Sequence, residues 1–367
     1  MFLWLTREFG LFLEYVDSHT VGDSRVFLAA RTAGAGMTAF LMAIVFGPMA
    51  IHWLRHRYRE RIASASATLN ELHSGKRNTP TMGGIFMMGA VAFSSLLWSD
   101  LTCGYVLLSL LLIAALTVLG AVDDRVKMAT DRNGLTARQK LLVQIGIAAV
   151  ASTGLFLIQR HQTSGTDLFW PPGRVLIPLG VLLMPWSTFV ICGTSNAVNL
   201  TDGLDGLATG CSLFVATSLA ALAWLSGHRE LADYLAIPHI RQAGEMTVLL
   251  GALTGALLGF LWFNCHPAKV FMGDAGALPV GGLLAFAALV CRQECLLAII
   301  GGVFVAETVS VIVQVSIYRM TGRRILRCSP LHNHFVFRGD HESSIVIRFW
   351  IVSAVAAMLG MGTLALR

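Results

Sequence analysis

Five polar, turn-rich segments hold the residues of this chain whose types and spacing can do chemistry. Asp123-Asp124 is a pair of adjacent carboxylates at the end of a long apolar run. Such a pair is costly unless solvated, paired or metal-bound, and a helix C-terminus disfavours it further. One carboxylate can hold a divalent metal while the other acts as a base. A solvated stop at a membrane surface, countered by Arg125 and Lys127, is the plainer alternative. In Asn199-Leu200-Thr201-Asp202-Gly203-Leu204-Asp205-Gly206, Asp202 and Asp205 are spaced i, i+3 and would share a face if helical. That segment has no Lys or Arg to balance its carboxylates, which favours a bound cation, although the spacing of a calcium loop is absent. Asp274 opens another apolar run, near a helix amino terminus where an anion is favoured. Lys269 is close in sequence, and Phe271 offers a ring that can stack on a flat ligand.

The other two segments suit anions. Lys76-Arg77-Asn78-Thr79-Pro80-Thr81-Met82-Gly83-Gly84 reads as a turn with free backbone N–H groups at a helix start, and Lys76 adds a point charge, although taken alone the segment fits better an ordinary loop-to-helix junction with a positive-inside lysine. Ser329-Pro330-Leu331-His332-Asn333-His334-Phe335 has two histidines two apart, with no cysteine or carboxylate at metal spacing beside them. Phosphate or substrate hydrogen bonding fits them better than zinc or magnesium ligation. Glu307 and Gln314, i and i+7, fall on one face of an apolar helix. A carboxylate inside a membrane span is a functional hypothesis by default, with a helix–helix hydrogen bond as its rival; Gln314 is nearer the end with the other segments. His52, His56, His73, His228 and His239 read as surface residues.

The elements that must position these residues are apolar helices. Of 367 residues, 55% are hydrophobic and 13% charged, about half the charge of an ordinary soluble domain. By the criterion of about 20 apolar residues per span, about ten spans are predicted. They cover residues 28–51, 82–98, 103–122, 141–159, 175–197, 207–226, 246–263, 275–291, 296–318 and 349–366. The ninth is interrupted by Glu307. The fold class is therefore all-α and polytopic, a single membrane-embedded domain over residues 1–367 with no repeat visible by eye. Segments 52–81, 123–140, 199–206, 264–274 and 319–348 fall on one side of the membrane and carry more than twice as many Lys and Arg as the other side. The positive-inside rule makes that side cytoplasmic and puts both termini outside. All five chemistry-bearing segments then share the cytoplasmic face. The net charge of +6 lies in short loops rather than on one soluble face, which argues for topology and anionic lipid or phosphorylated substrate rather than nucleic acid. Seven cysteines, mostly in apolar runs and without a paired zinc pattern, read as small buried hydrophobes. The first residues lack the pattern of a cleaved signal peptide and resemble a short amphipathic lead-in.

Taken in order, TPTMGG, VDD, NAVNLTDGLDGLA, VFMGDAGAL and PLHNHF closely resemble the MraY translocase family, the phospho-N-acetylmuramoyl-pentapeptide transferases of bacterial peptidoglycan synthesis. The resemblance covers nearly the whole chain. It implies transfer of phospho-N-acetylmuramoyl-pentapeptide from its UDP conjugate to undecaprenyl phosphate at the inner membrane, giving lipid I and UMP with Mg²⁺. A second copy of the chain is a possible partner. It further implies Asp274 as principal metal ligand with Asp124 near the metal, and Asp123 deprotonating or positioning the lipid phosphate. Asn199, Asp202 and Asp205 would belong to the nucleotide site, and Phe271 would stack on uracil. Lys76, Thr81, Lys140 and Gln314 would line the cleft, and His332 and His334 match the outer positions of a three-histidine motif. The chain departs from the family pattern at Asn333, the middle position of that motif, and at Ala277. Asparagine still hydrogen-bonds but cannot become cationic. A sister transferase for another sugar phosphate, a transporter and a silent scaffold are the rival readings; a transporter would place its charges near the bilayer midplane, where Glu307 is the exception.

Overall fold

The computed structural model describes residues 24–57, 79–130, 134–162, 165–170, 173 and 175–364. Lys76, the amphipathic lead-in and the extreme carboxyl terminus lie outside them. The apolar runs fold as helices because a bilayer leaves each backbone group to be satisfied within its own segment. In chain order they are α1 (Ser24–Arg57), α2 (Gly84–Trp98), α3 (Gly104–Ala129) and α4 (Ala137–Gln159). A hairpin of β1 (Asp167–Trp170) and β2 (Val175–Pro178) follows, with Trp170 opposite Val175. Then come α5 (Leu183–Thr201), α6 (Leu207–Ser226), the short α7 (Arg229–Leu235), α8 (Gly244–Asn264) and α9 (Asp274–Val290). The last are α10 (Glu294–Ile300), α11 (Gly302–Thr321), the short α12 (Leu331–Val336) and α13 (Glu342–Thr363). Among the described residues, eight helical segments are long and apolar enough to cross a membrane, and α2 and α9 are shorter apolar helices beside them.

Most predicted spans fall on a single helix, the fifth and ninth cross two elements, and the differences have physical causes. Hydropathy ends the third span at residue 122, but α3 runs on to Ala129, so Asp123 and Asp124 sit inside a helix rather than at its end. The fifth run begins at 175, where the chain is still in β2, and an apolar strand and an apolar helix start are not told apart by hydropathy. The ninth run breaks at Gly301, between α10 and α11, and not at Glu307, which continues the helix. The helix of the tenth run, α13, starts earlier than the apolar run, at Glu342, an acidic residue that favours a helix first turn.

Two helices organise the bundle. All residues of α9 are buried, so the helix that starts at Asp274 is the centre of the protein rather than a lipid-facing wall. α8 packs on α1 through Gly251, Gly255 and Gly259, a small residue every fourth position that lets the backbones approach; Thr32, Gly36 and Ala43 of α1 fill the other side. Polar side chains knit α4, α5 and α9 together: Gln144 donates to Ser195 Oγ (2.8 Å), Asn196 donates to Gln144 Oε1 (2.7 Å), and Ser195 donates to the Leu278 carbonyl (2.9 Å).

Candidate active site

The site is built where α3 crosses the amino terminus of α9. A Cβ on Gly120 would overlap the carbonyl of Asp274, so the two backbones meet there without a side chain between them. Asp123 and Asp124, one turn further along α3, are thereby set against Asp274, the first residue of α9. The three carboxylates each offer an oxygen within 4.8 Å of the others, and they are 2%, 3% and 7% exposed. Gly273, at φ +70°, makes the turn into α9; a Cβ there would lie 2.6 Å from Asp124 Oδ2 and 3.0 Å from Thr81 Oγ1. Thr81 is thus placed beside the carboxylates.

Two lysines face this cluster. Lys127 sits at i+4 and i+3 from the aspartates of its own helix, and its Nζ lies 3.0 Å from Asp123, 3.4 Å from Asp124 and 2.9 Å from Asp274. Lys140 comes from the first turn of α4, which opens with a capping box of Thr136 and Gln139. Its Nζ lies 3.5 Å from Asp123 Oδ2 and donates to Asp274 Oδ2. The Leu135 N–H, just before that box, donates to Asp123 Oδ1 (2.7 Å) and ties the start of α4 to the carboxylates. Asn199, with its amide oriented to satisfy both neighbours, donates to Asp274 Oδ1 (2.8 Å) and accepts from Lys140 (3.3 Å). The Ala275 N–H donates to Asp124 Oδ2 (3.1 Å). Three carboxylates against two ammonium groups leave one excess negative charge among them. The donor set is all oxygen, which suits a hard dication such as magnesium, and Lys127 has a partly exposed, flexible stem that can yield to one. Asp123, Asp124 and Asp274 each offer an oxygen that could hold a metal ion.

In the TPTMGG segment two backbone donors are spent within the protein. The Gly83 and Gly84 N–H groups, expected to be free, donate to the carbonyls of Phe271 and Met272 (both 2.9 Å), and the Phe271 N–H donates to the Pro80 carbonyl (2.9 Å). A Cβ on Gly84 would overlap Gly276. The two motifs therefore zip together, and the glycines serve a close backbone approach that fixes Phe271, half-buried, next to the carboxylates.

The 199–206 segment bridges the rest of the site. Asp202 caps α5 and Asp205 lies in the following turn, so they do not share a helical face as the i, i+3 spacing suggested. Asp205 is buried and accepts from the Ala268 N–H (3.0 Å), with His266 Nδ1 at 3.1 Å, while its own N–H donates to Glu342 Oε1 (2.9 Å). Asp205, His266 and Glu342 form a second group, apart from the aspartate triad. On the last loop, His332 is buried with its Nε2 side against Gly203.

With this geometry in view, comparison with known proteins is decisive. The model of glycosyl transferase family 4 matches residues 106–292, and the phospho-N-acetylmuramoyl-pentapeptide-transferase signature 1 matches residues 76–86. A phospho-N-acetylmuramoyl-pentapeptide-transferase of Maridesulfovibrio salexigens is 44% identical over 95% of this chain and 98% of its own. One from Solidesulfovibrio magneticus is 45% identical over 93% and 94%, and one from Koribacter versatilis is 40% identical over the full length of both. The chain belongs to the phospho-N-acetylmuramoyl-pentapeptide-transferase family.

Within this family frame, some residues that hold the site together were missed by sequence reasoning. Lys127 read as a counter-ion at a membrane edge, although its i+3 and i+4 spacing from two aspartates was the available signal. Glu307 and Gln314 do share one face of α11, and both hold the last loop. The Gln314 amide is engaged at both ends: its Oε1 accepts from the N–H groups of Ile325 (3.1 Å) and Leu326 (3.0 Å), and its Nε2 donates to the Leu326 carbonyl (3.2 Å). Glu307 accepts from the His332 N–H (3.1 Å) and lies 3.3 Å from His332 Nδ1. His334 Nδ1 accepts from the Arg327 N–H (3.1 Å), which makes it a brace of the loop. Asn333 is buried, and its side-chain oxygen has no hydrogen-bond partner among the described residues. His266 and Glu342 gave no sequence signal, because their partner Asp205 is distant from both in the chain.

Replacing Glu307 by Ala is expected to lower turnover by roughly 10- to 100-fold, since a misplacement of about 1 Å can cost 10²-fold. It should also lower the melting temperature, because a buried N–H left without its acceptor costs about 1–3 kcal/mol. Steady-state kinetics and a thermal melt check both; wild-type values in the two together would remove Glu307 as the post that sets His332.

Proposed function

We propose that this protein transfers phospho-N-acetylmuramoyl-pentapeptide from its UDP conjugate to undecaprenyl phosphate, releasing UMP, in the bacterial inner membrane with the carboxylate end of the bundle facing the cytoplasm. The observation that carries this reading is the convergence of Asp123, Asp124, Asp274, Lys127, Lys140 and Asn199 at one end of an apolar helix bundle in a chain of this family. An oxygen of the lipid phosphate attacks the sugar-bearing phosphorus; a new P–O bond forms there while the bond to the UMP oxygen breaks. Attacking and leaving groups are both anionic, so the step needs charge neutralisation and in-line positioning more than a covalent catalyst.

Asp274 and Asp124 would hold Mg²⁺, which when bound neutralises charge developing on the diphosphate. Lys127 and Lys140, held within the aspartate cluster, offer ammonium groups to phosphate oxygens. Both oxygens of Asp123 already accept hydrogen bonds, from the Leu135 N–H and from the lysines, which favours a positioning role over obligatory base catalysis. A phosphate monoester needs little help to lose its second proton, whose pKa is about 6. Asn199, Asp202 and Asp205 are assigned to the nucleotide side, with Phe271 offering its face to uracil and Lys76 and Thr81 to phosphate oxygens. His332 and Asn333 face substrate from the last loop, while Gln314 and His334 act by holding that loop in place.

UMP release by purified protein in detergent tests this, with the UDP-linked donor and undecaprenyl phosphate, with and without Mg²⁺. Release that requires both lipid and metal is the expected result; release only with a different UDP-sugar would move the chain to a sister transferase, and none with any donor would sink the enzyme reading. In the same assay, Asn333→His is expected to change turnover by less than about tenfold, about 1.4 kcal/mol, since asparagine already supplies a hydrogen-bonding side chain at that position. A much larger gain would mean that a cationic middle residue is required.

A further inference from the structure

The end of the bundle opposite the carboxylates carries a polar concentration that the transfer reaction does not use. A cavity of about 610 Å³ opens there between the β1–β2 hairpin, the segment after α7 and the turn joining α9 to α10. The 17 residues of α9, about 25 Å of helix, separate it from Asp274. Arg229, Arg241 and Arg292 line it with His239 and one carboxylate, Asp233, which lies 4.0 Å from Arg229.

Arg292 is the decisive residue. It is 3% exposed, and its Nε and Nη2 are buried without a hydrogen-bond partner among the described residues. Asp167 and Glu294 are acids close enough to act on its charge, yet neither hydrogen-bonds to it; Glu294 Oε1 instead accepts from Trp186 Nε1 (3.2 Å). A buried guanidinium with idle donors is expensive, and its complement is an oxyanion that can accept two of its N–H groups at once. The backbone around the cavity is also held in costly conformations. Among the described residues, the non-glycine positions at positive φ are Met82, Ala236 (50°), Gln242 (67°) and Arg292 (54°). Met82 belongs to the active site, and the other three line this cavity or adjoin Arg241. Such strain persists where the surroundings over-determine it, and it clusters at ligand sites. The hairpin beside the cavity exposes Val175, Leu176 and Ile177, an apolar edge next to a cationic hollow.

We infer that this cavity binds a phosphate oxyanion, with Arg292 as the buried anchor and Arg241 and Arg229 at the mouth. Its source is either an anionic phospholipid headgroup, with acyl chains along the Val175–Ile177 edge, or free phosphate. The test is native mass spectrometry of the delipidated full-length protein titrated with phosphatidylglycerol, with phosphatidylcholine as the zwitterionic control and inorganic phosphate as competitor. Wild type should hold phosphatidylglycerol saturably and in preference to phosphatidylcholine. Exposed R241Q should weaken it roughly tenfold, the value of one charge-assisted contact, and R292Q should weaken it further, while both still release UMP. Displacement of the lipid by inorganic phosphate, or a phosphate-dependent thermal shift that R241Q loses, would identify free phosphate as the source. If R292Q does not fold, R241Q decides the matter. Equal phosphatidylglycerol retention and equal response to phosphate in wild type and R241Q would overturn the inference.

Discussion

Asp274→Asn is expected to reduce UMP release at least about 10³-fold, a loss of about 4 kcal/mol of transition-state stabilisation. The side chain keeps its size and can still accept from Lys127 or Lys140, so packing at the start of α9 survives. What goes is one negative charge in a cluster of three carboxylates and two lysines. The remaining charges then balance, and little net attraction is left for a dication. Folding should suffer much less, because an anion at a helix amino terminus is worth about 0.3–1 kcal/mol. The measurement is therefore twofold: turnover across a wide Mg²⁺ range, and a thermal melt. Near-wild-type turnover at ordinary Mg²⁺ would remove Asp274 from metal binding; recovery only at very high Mg²⁺ would agree with it.

Gly120→Ala is the second large effect, and it contains no chemistry at all. A methyl group at position 120 would overlap the Asp274 carbonyl and the start of α9, which are backbone atoms and cannot rotate away. α3 must shift outward, and Asp123 and Asp124 move with it, away from Asp274. A shift of about 1 Å in a positioned site is enough for roughly 10²-fold in rate. The melting temperature should fall too, as overpacking costs about 1–3 kcal/mol. Gly89→Ala is the matching control, since a Cβ there meets nothing within 4 Å. If Gly120→Ala turned over like wild type while Gly89→Ala did too, the α3–α9 crossing would not be what sets the carboxylate spacing.

The sequence by itself determined the fold class and part of the inventory of the candidate site. Apolar runs long enough to span a bilayer read as helices because lipid permits no other open structure, and the predicted runs fall largely on apolar helices. Asp123, Asp124, Asp274, Lys140 and Asn199 were legible as polar residues at the ends of such runs, and these five do meet. Hydropathy failed where helix and apolar run part company: α3 outlasts its run by more than a turn, and β2 opens a run that looked helical. Only the tertiary structure decided which polar groups answer one another. That Gly83 and Gly84 spend their N–H groups on Phe271 and Met272, that Asp205 turns to His266 and Glu342, and that Glu307 holds His332 are pairings across 25 to 190 residues of chain. The physical reason is that propensity and hydropathy are local quantities. A hydrogen bond between distant segments is decided by how closely helices can pack, and that closeness rests here on the small residues at the α1–α8, α2–α9 and α3–α9 crossings.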